Sequence, residues 1–434
     1  MTYQEAIDFL FNSLPMYQRQ GKAAYKANLN NTLLLDAYLG HPHCSFPSIH
    51  VAGTNGKGSV SHMLDSVLQQ AGYQTGLYTS PHLLDFRERI RINGIPIPEQ
   101  EVTDFIMRHQ SIIQEIRPSF FEMTVAMSFD YFARKKVDMA IVETGLGGRL
   151  DSTNIITPEL SVITNISLDH TEFLGNDVAS IAREKGGIIK EKVPLVIGSA
   201  NQETQQLLLT MASEKKAPTF LAYQLFKPSF HTLSQKGASI MRIRNLESGS
   251  QETVSCDLTG DYQQENVITS LTAIRQLRIL GWEIPRKAVE EGLASVEKNS
   301  GIMGRWQTIG HNPRSICDTA HNQAGIAAVI KQLMQTPCKA LHMVWGMVDD
   351  KDLGAILPLL PKSARYYFTR SSVPRALDPG QLQHQALAHG LSGEIYPSVE
   401  EAYRNAAKNA GPDDMIFTGG STFVVADLLK ASGY

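Results

Sequence analysis

The hydrophobic pattern of residues 46–200 alternates between short β-type runs and amphipathic helical segments. Apolar residues recur every three or four positions from Val60 to Ala71, which is typical of one face of a helix, and Gly72 ends that helix. The strand-like runs are 48–52, 75–79, 138–143, 160–166 and 194–198, and further helical patterns lie around 99–116, 121–135 and 177–190. This βαβ alternation predicts a mostly parallel sheet with helices on its faces.

Residues 217–258 have a different pattern, in which strand-like runs are separated by polar turns. The runs are 219–223, 239–244 and 252–256, and they predict a small antiparallel β subregion. A helical pattern follows over 263–279. The segment 297–305 is polar and contains two glycines, so we place a domain boundary there, with domains of 1–297 and 298–434.

The βα alternation starts again after this boundary. Strand-like runs lie at 315–319, 340–345, 365–369 and 414–418, and helical patterns lie near 323–335, 378–388, 398–409 and 421–431. They predict a second, smaller, doubly wound domain of Rossmann-like type. The predicted fold class is therefore α/β, with a parallel-sheet domain, its small antiparallel β subregion, and a smaller C-terminal domain.

Composition narrows the class of protein further. The chain has 434 residues, 42% of them hydrophobic and 19% charged, with a net charge of -3, as in an ordinary globular protein of two domains. The lack of a basic excess argues against nucleic acid or a membrane surface as a partner. Without an apolar run near 18 residues or a leader-like N-terminus, we expect a cytoplasmic protein with four buried, reduced cysteines.

A glycine-rich segment between the first predicted strand and its helix has the features of a phosphate-binding loop. Glycines let the backbone N–H groups turn toward phosphate oxygens, and the helix N-terminus adds partial positive charge. Lys57 would neutralise the β- and γ-phosphates, and the Ser59 hydroxyl would bind magnesium. The alternative is a glycine-rich turn without a ligand. The segment consists of Gly53, Thr54, Asn55, Gly56, Lys57, Gly58 and Ser59.

Three further polar segments follow predicted strands, at 79–83, 143–151 and 165–170. Because ligands of open α/β sheets lie at the carboxyl ends of strands, we expect these segments beside the phosphate loop. Glu143 ends an apolar strand and is the attractive magnesium ligand, since this ion prefers oxygen. His170 is a less expected ligand, and a structural or capping role is its alternative. No N-K-x-D motif for guanine occurs, so ATP is the more plausible nucleotide.

These motifs together resemble the folylpolyglutamate synthase/dihydrofolate synthase family within the ATP-dependent Mur ligase superfamily. Only about fifty residues precede the loop, whereas the peptidoglycan branch carries a larger nucleotide-sugar domain there. Beyond 322 only the βα pattern agrees. The matching segments are Val51–Ser59, Thr79–Leu83, Arg87–Ile90, Glu143–Asp151, Asp169–His170, Glu184–Ile188, Gly304–Gln307 and Asp318–Asn322.

The resemblance implies an ATP-dependent ligase that adds L-glutamate to reduced folates and to dihydropteroate. It implies an acyl-phosphate intermediate, release of ADP and phosphate, two Mg²⁺ ions and a monomeric enzyme. The first domain would bind ATP, and the second would be the glutamate-ligase domain. Two alternatives stay open, namely a muramyl-type amino-acid ligase and a nucleotide-binding module without turnover.

The resemblance also implies roles for individual residues. The metal ligands would be Ser59, Ser80, Glu143 and His170. Asn266 would contact adenine, and the second domain would supply Arg305, Asp318 and His321 to the nucleotide. The pterin site would involve Phe120, Phe121 and Asp151, although the two aromatic rings are otherwise ordinary core residues. Arg370, Ser371 and Ser372 are candidates for the glutamate pocket, with a solvated strand end as the alternative.

Lys185 shares a predicted helix face with apolar residues such as Ile181 and Ile188. A lysine on such a face is costly as a cation, so its pKa should be lowered. The alternatives are a stem that reaches solvent or a salt bridge. In the family that the chain resembles, this lysine is carbamylated, which requires the neutral amine and produces an anion able to approach magnesium. The catalytic candidates are thus Lys57, His170 and Lys185.

Overall fold

The structure, a computed structural model, describes residues 1–15, 28–233 and 238–434. A large sheet carries the loop 53–59, and its strands are β1 Ser48–Ala52, β2 Thr75–Tyr78, β3 Ile90–Ile92, β4 Ile95–Pro96, β5 Met139–Glu143, β6 Leu160–Asn165, β7 Leu195–Ser199 and β8 Thr219–Leu221. The order is β4-β3-β2-β5-β1-β6-β7-β8. Along this order, every adjacent pair in the run β2-β5-β1-β6-β7-β8 is parallel. The strands β3 and β4 add an antiparallel hairpin at the β2 edge.

Helices cover both faces of this sheet, and β1, β2 and β5 are therefore buried at every position. The predicted helix over 99–116 is two helices, because the chain leaves helical geometry at His109. The helices of this part are Tyr3–Ser13, Asn30–Tyr38, Lys57–Gln70, Glu99–Arg108, Gln110–Ile116, Phe120–Lys135, Thr171–Leu174, Val178–Gly186, Gln202–Glu214, Ala222–Leu225, Gln263–Ile279, Arg286–Leu293 and Val296–Ser300. Short 3₁₀ turns lie at Pro42–Cys44, Phe86–Arg89 and Ser152–Ile155.

The predicted antiparallel subregion exists, but one of its predicted strands was assigned wrongly. The three-stranded antiparallel sheet has the order β11-β10-β9, with β9 Phe226–Leu233, β10 Ser239–Asn245 and β11 Gln251–Cys256. The run 219–223 instead contributes β8, which pairs in parallel with β7, and then enters the helix Ala222–Leu225. A short apolar run does not reveal its partner, and here burial of Leu221 against the large sheet decides the pairing.

A six-stranded sheet forms the second unit, and its strands are β12 Gln307–His311, β13 Arg314–Cys317, β14 Leu341–Trp345, β15 Arg365–Phe368, β16 Gly393–Ile395 and β17 Met415–Gly419. Their order is β12-β13-β17-β14-β15-β16, and all pairs except β12–β13 are parallel. The helices are Gln323–Gln335, Leu353–Ile356, Pro379–Ala388, Val399–Asn409 and Thr422–Ala431, with a 3₁₀ turn at Leu357–Leu359. The predicted doubly wound domain is confirmed, and the edge strands β12 and β16 were missed because they contain no fully buried position.

The two units divide the chain at Ile302, and the short segment Leu258–Tyr262 belongs to the second unit. The boundary drawn from the sequence lies at 297/298, within the helix Val296–Ser300. Cys256 and Cys317 are buried, but Cys44 and Cys338 are exposed, so the expectation of four buried thiols is wrong for these two. Within the described ranges, no helix combines the length and the apolar character that crossing a membrane requires.

Candidate functional site

The loop 53–59 connects the carboxyl end of β1 to the helix Lys57–Gln70, as its sequence predicts. Gly56 immediately precedes the helix in a left-handed conformation, with a φ of 84°. A Cβ at Gly56 would collide with the Asn266 side chain, and one at Gly53 would collide with the Thr164 hydroxyl. Both positions therefore require glycine, because neighbouring side chains occupy the space around the loop.

Residues at the end of β6 hold the loop in shape. The Thr54 N–H donates to Asn165 O at 2.7 Å, and its hydroxyl donates to Ser167 O at 2.9 Å. The Thr164 hydroxyl donates to Asn55 O at 2.6 Å. These contacts fix the curl of the backbone within the chain itself, so the loop does not have to be ordered by its ligand.

Two lysine ammonium groups lie on one side of this loop. Lys57 Nζ is 3.0 Å from Gly53 O, and Lys185 Nζ is 2.8 Å from the same oxygen. Lys185 is 4% exposed, so its ammonium does not reach solvent, and it bonds a carbonyl rather than a carboxylate. Burial, together with the charge of Lys57, lowers the pKa of Lys185 to about 7. The apolar helix face predicted this direction, and near neutral pH a large share of the amine carries no proton.

Oxygen ligands for a cation meet at the same edge of the sheet. Ser59 lies in the first turn of the helix Lys57–Gln70 and is 1% exposed. Glu143 ends β5, is buried, and accepts a hydrogen bond from the Ser80 N–H at 3.1 Å. A hydroxyl and a buried carboxylate are the donor types that a hard divalent cation such as Mg²⁺ prefers. The donor set therefore fits magnesium.

His170 takes a left-handed conformation just before the short helix Thr171–Leu174, with a φ of 49°. Its N–H donates to Asp169 Oδ1 at 2.9 Å, and its ring Nε2 is 3.9 Å from Asp169 Oδ2. Capping is the alternative role for His170, but its side chain makes no capping hydrogen bond to the start of the helix Thr171–Leu174. The ring is partly exposed, and its role as a metal ligand stays a prediction.

The residues predicted for the pterin site differ in their surroundings. Phe120 is 3% exposed and packs in the core, with the Arg89 guanidinium 5.1 Å from its ring centre. Phe121 is only partly buried, and its ring lies directly over Gly145. The Asp151 carboxylate accepts hydrogen bonds from Leu146 N at 2.8 Å and from Thr153 N at 3.0 Å, and its burial raises its pKa. Asp151 thus shapes the loop after β5 from inside.

In the second unit, Asp318 organises the residues predicted to reach the nucleotide. Its carboxylate accepts from the Tyr262 hydroxyl at 2.5 Å, from Trp306 N at 2.7 Å and from Ala320 N at 2.8 Å. Burial raises the pKa of Asp318. The neighbouring Arg305 guanidinium donates to the Thr319 hydroxyl and to the Gly304 carbonyl.

His321 completes this group, since its ring Nδ1 lies 3.0 Å from Thr319 O. The three candidates for glutamate binding follow β15. Arg370 is exposed, and Ser372 is bound to Asp427, to which its hydroxyl donates at 2.9 Å. Ser371 is 4% exposed, and its hydroxyl has no hydrogen-bond partner within the described part of the chain.

One buried polar contact beside the loop is not predicted by the sequence. Gln263 Nε2 donates to Ser59 Oγ at 3.2 Å, and Asn266 Nδ2 donates to Gln263 Oε1 at 2.7 Å. The spacing of the two amides, which lie three positions apart on one face of the helix Gln263–Ile279, indicates their own pairing but not the contact with Ser59.

Comparison with known proteins decides the family. Residues 51–274 match the Mur ligase middle domain, and residues 304–422 match the Mur ligase glutamate ligase domain. The dihydrofolate synthase/folylpolyglutamate synthase of Bacillus subtilis is 31% identical over 99% of this chain and 98% of its own length. The chain belongs to the folylpolyglutamate synthase/dihydrofolate synthase family of Mur ligases.

Other members of this Mur ligase family agree in sequence and in fold. The structure of Escherichia coli FolC in complex with DHPP and ADP is similar with a TM-score of 0.86 and 30% identity, covering 99% of this chain and 97% of that one. A probable bifunctional folylpolyglutamate synthase/dihydropteroate synthase of Haloferax volcanii is 31% identical over 98% of this chain, but the chain spans only 50% of that protein. The similarity therefore concerns one half of the Haloferax protein.

Proposed function

We propose that the chain joins L-glutamate to folate-type carboxylic acids in an ATP-dependent amide ligation. The reaction passes through an acyl phosphate and releases ADP and phosphate. The observation that carries this proposal is the loop 53–59, which hydrogen bonds within the chain hold in shape. Lys57 and Glu143 lie at the same sheet edge as this loop, and the chain matches both Mur ligase domains. The E. coli relative was solved in complex with DHPP and ADP, and ADP is the nucleotide product that this reaction would release.

The chemical problem is that a carboxylate is a poor electrophile, because an amine that attacks it would have to expel an oxide. Transfer of the γ-phosphoryl group to the carboxylate oxygen provides phosphate as the leaving group. The carboxylate and the phosphate are both anions, so the site must hold them together against repulsion. Lys57, the loop N–H groups of Asn55, Gly56 and Gly58, and the helix N-terminus supply the opposing charge. The Thr54 N–H does not contribute to it, because it donates to Asn165 O.

We further propose that Ser59, Ser80, Glu143 and His170 hold magnesium, in two ions. The bound cation supplies charge that offsets the repulsion between the two anionic groups. Asn266 contacts the adenine, while Arg305, Asp318 and His321 are the groups that the second unit supplies to the nucleotide. The structure supports this assignment for Ser59 and Glu143 most strongly, because their oxygens are buried at the same edge as the loop.

Lys185 is proposed as a carbamylated residue. Carbamylation joins the neutral amine to carbon dioxide with loss of a proton, and the lowered pKa of Lys185 provides that amine near neutral pH. Loss of the positive charge would also remove its repulsion with Lys57. Crystallographic density or intact mass after incubation with bicarbonate tests the modification, and an unmodified amine in a fully active enzyme contradicts it.

The acceptor and amino-acid sites are proposed on separate grounds. Phe121, together with Phe120 and Asp151, forms the pterin site, since the Phe121 ring is partly exposed beside Gly145. Ser371, with Arg370 and Ser372, forms the glutamate pocket, because a buried hydroxyl without a partner can bind a ligand group. We also propose that the enzyme is cytoplasmic and monomeric. Light scattering of the purified chain would test the monomeric state.

Product analysis with separate acceptors tests the activity. We expect ATP-dependent release of ADP and a glutamylated product with dihydropteroate and with tetrahydrofolate. A product from only one of them would restrict the chain to one of the two synthase activities. If neither yields a product while UDP-linked muramyl acceptors do, the muramyl-ligase alternative is correct. Tight ATP binding without turnover of any acceptor would favour a binding module.

A further inference from the structure

A buried glutamine links two residues that the proposed function places at opposite parts of the nucleotide. Gln263 is 0% exposed and begins the helix Gln263–Ile279, which packs against the helix Lys57–Gln70. Both ends of its amide are used, because Oε1 accepts from Asn266 Nδ2 at 2.7 Å and Nε2 donates to Ser59 Oγ at 3.2 Å. A buried amide is costly unless it is paired in this way.

The direction of these hydrogen bonds has a consequence for Ser59. A serine hydroxyl has one proton to donate and two lone pairs to accept with. Because Gln263 donates to Ser59 Oγ, one lone pair is occupied from the side of the helix. One lone pair and the proton are then left for partners other than Gln263. A metal ligand held by such an outer contact needs less ordering when the cation arrives.

Asn266 determines which end of the Gln263 amide meets Ser59. Its Nδ2 donates to Gln263 Oε1, so the Gln263 amide is turned with its nitrogen toward the hydroxyl. The Asn266 side chain also lies against Gly56 of the loop, where a Cβ would collide with it. Asn266, Gln263 and Ser59 therefore form one hydrogen-bonded chain beside the loop. It connects the proposed adenine contact, Asn266, to the proposed metal ligand, Ser59.

We infer that Gln263 is a positioning residue that presents the Ser59 hydroxyl to the magnesium of the bound nucleotide. The inference rests on the proposed function, which assigns Ser59 to the metal and Asn266 to adenine. It predicts that Gln263 affects how strongly Mg²⁺ tightens nucleotide binding, and that it has little effect on nucleotide binding without the metal.

The test measures ADP binding by calorimetry with and without Mg²⁺, and the ratio of the two dissociation constants is the magnesium ratio. Gln263→Met keeps the volume and the helix propensity but removes the amide. Loss of such an outer contact costs roughly 10-fold or more in metal affinity, so we expect the magnesium ratio to fall by about that factor. ADP binding without Mg²⁺ should change by a smaller factor than the magnesium ratio, because Gln263 meets the proposed adenine contact only through Asn266.

Gln276→Met is the matched control, because Gln276 is also a buried glutamine of the helix Gln263–Ile279. It lies thirteen residues further on, about 20 Å along the helix axis. Its magnesium ratio should equal that of the wild type. If Gln263→Met does not fold, Gln263→Asn replaces it, since the shorter amide cannot reach both Ser59 and Asn266.

A double-mutant cycle with Ser59→Ala shows whether Gln263 acts through the hydroxyl. We expect Gln263→Met to have no further effect on the magnesium ratio in the Ser59→Ala background. The inference would be overturned if Gln263→Met lowered the magnesium ratio equally in the wild-type and Ser59→Ala backgrounds. A wild-type magnesium ratio in Ser59→Ala, or in either Gln263 variant, would also overturn it. Because ADP binding is measured without an acceptor, a failure of the proposed ligase activity would be seen separately, in the product analysis.

Discussion

The loop 53–59 at the carboxyl edge of the first sheet and the residues Ser371 and Thr418 at that of the second differ in how far their polar groups are paired within the chain. At the edge of the first unit, Thr54 and Asn55 are held by the residues that end β6, and Lys57 is held by Gly53. At the edge of the second unit, the buried hydroxyls of Ser371 and Thr418 have no partner within the described residues. The first edge is thus formed before its ligand arrives, whereas the second has polar groups that a ligand could complete.

Such a contrast suits an enzyme whose two units have separate tasks. A preformed phosphate site lowers the entropy lost on binding and keeps charge in place for the transition state. A buried hydroxyl without a partner reduces stability, so it is expected where a ligand restores the missing hydrogen bond. Substitutions at the first edge should therefore affect turnover most, and substitutions at the second edge should affect the binding of one substrate.

The largest expected effect is that of Lys57→Ala. It removes the ammonium that we propose binds the phosphates, and we expect kcat to fall on the order of 10³-fold with the fold retained. Steady-state phosphate release and a thermal melt measure both quantities. Lys287→Ala, at an exposed position of the helix Arg286–Leu293, is the control and should keep wild-type rates. Wild-type turnover in Lys57→Ala would refute the role of the loop.

Lys185→Met should reduce kcat by about 10²-fold, which is less than the loss at Lys57, because it removes an outer contact of the loop rather than a phosphate contact. In the wild type, activity in bicarbonate should rise as pH increases through about 7, since the amine loses its proton there. Between about pH 7 and 10.5 the amine is unprotonated in the folded chain but still protonated in the unfolded chain. The contribution of Lys185 to the free energy of unfolding therefore also increases with pH from about 7 to 10.5. Rates and melting temperatures across this range check both statements, and a flat activity profile would contradict the first.

Ser371→Ala tests the second edge, together with Ser372→Ala as its matched neighbour. Loss of the Ser371 hydroxyl should raise KM for L-glutamate about 10-fold and leave KM for ATP unchanged, because the hydroxyl would bind only the amino acid. Ser372 already donates to Asp427, so its removal should raise KM less. If the two variants behave alike, or if KM for ATP changes instead, Ser371 does not serve glutamate.

The smallest expected effect concerns a buried carboxylate behind the first edge. Asp65, on the helix Lys57–Gln70, accepts from the Thr75 hydroxyl and from Gln69 Nε2, and burial raises its pKa to about 7. The folded chain therefore holds a proton that the unfolded chain has lost, and the contribution of Asp65 to stability decreases between about pH 4 and 7. Asp65→Asn should flatten the melting temperature over this window, whereas Asp413→Asn, at an exposed position, should not.

Patterns with a strong local cause were predictable from the sequence. The loop 53–59 and the end of β5 at Glu143 were placed correctly, because glycines, a lysine and an apolar run each have few structural uses. The pairing of β8 and the edge strand β12 were not predictable, since partner choice and edge position depend on distant parts of the chain. The contact of Gln263 with Ser59 joins residues 204 positions apart, and no local pattern indicates it.

The shared carbonyl of Gly53 has an evolutionary consequence. Two lysine side chains bond the same peptide oxygen, so a replacement at either position changes the surroundings of the other. Single exchanges at 57 or 185 should therefore be poorly tolerated during divergence. We expect homologous chains to vary these two positions together, and a survey of natural variants would reveal that coupling as covariation.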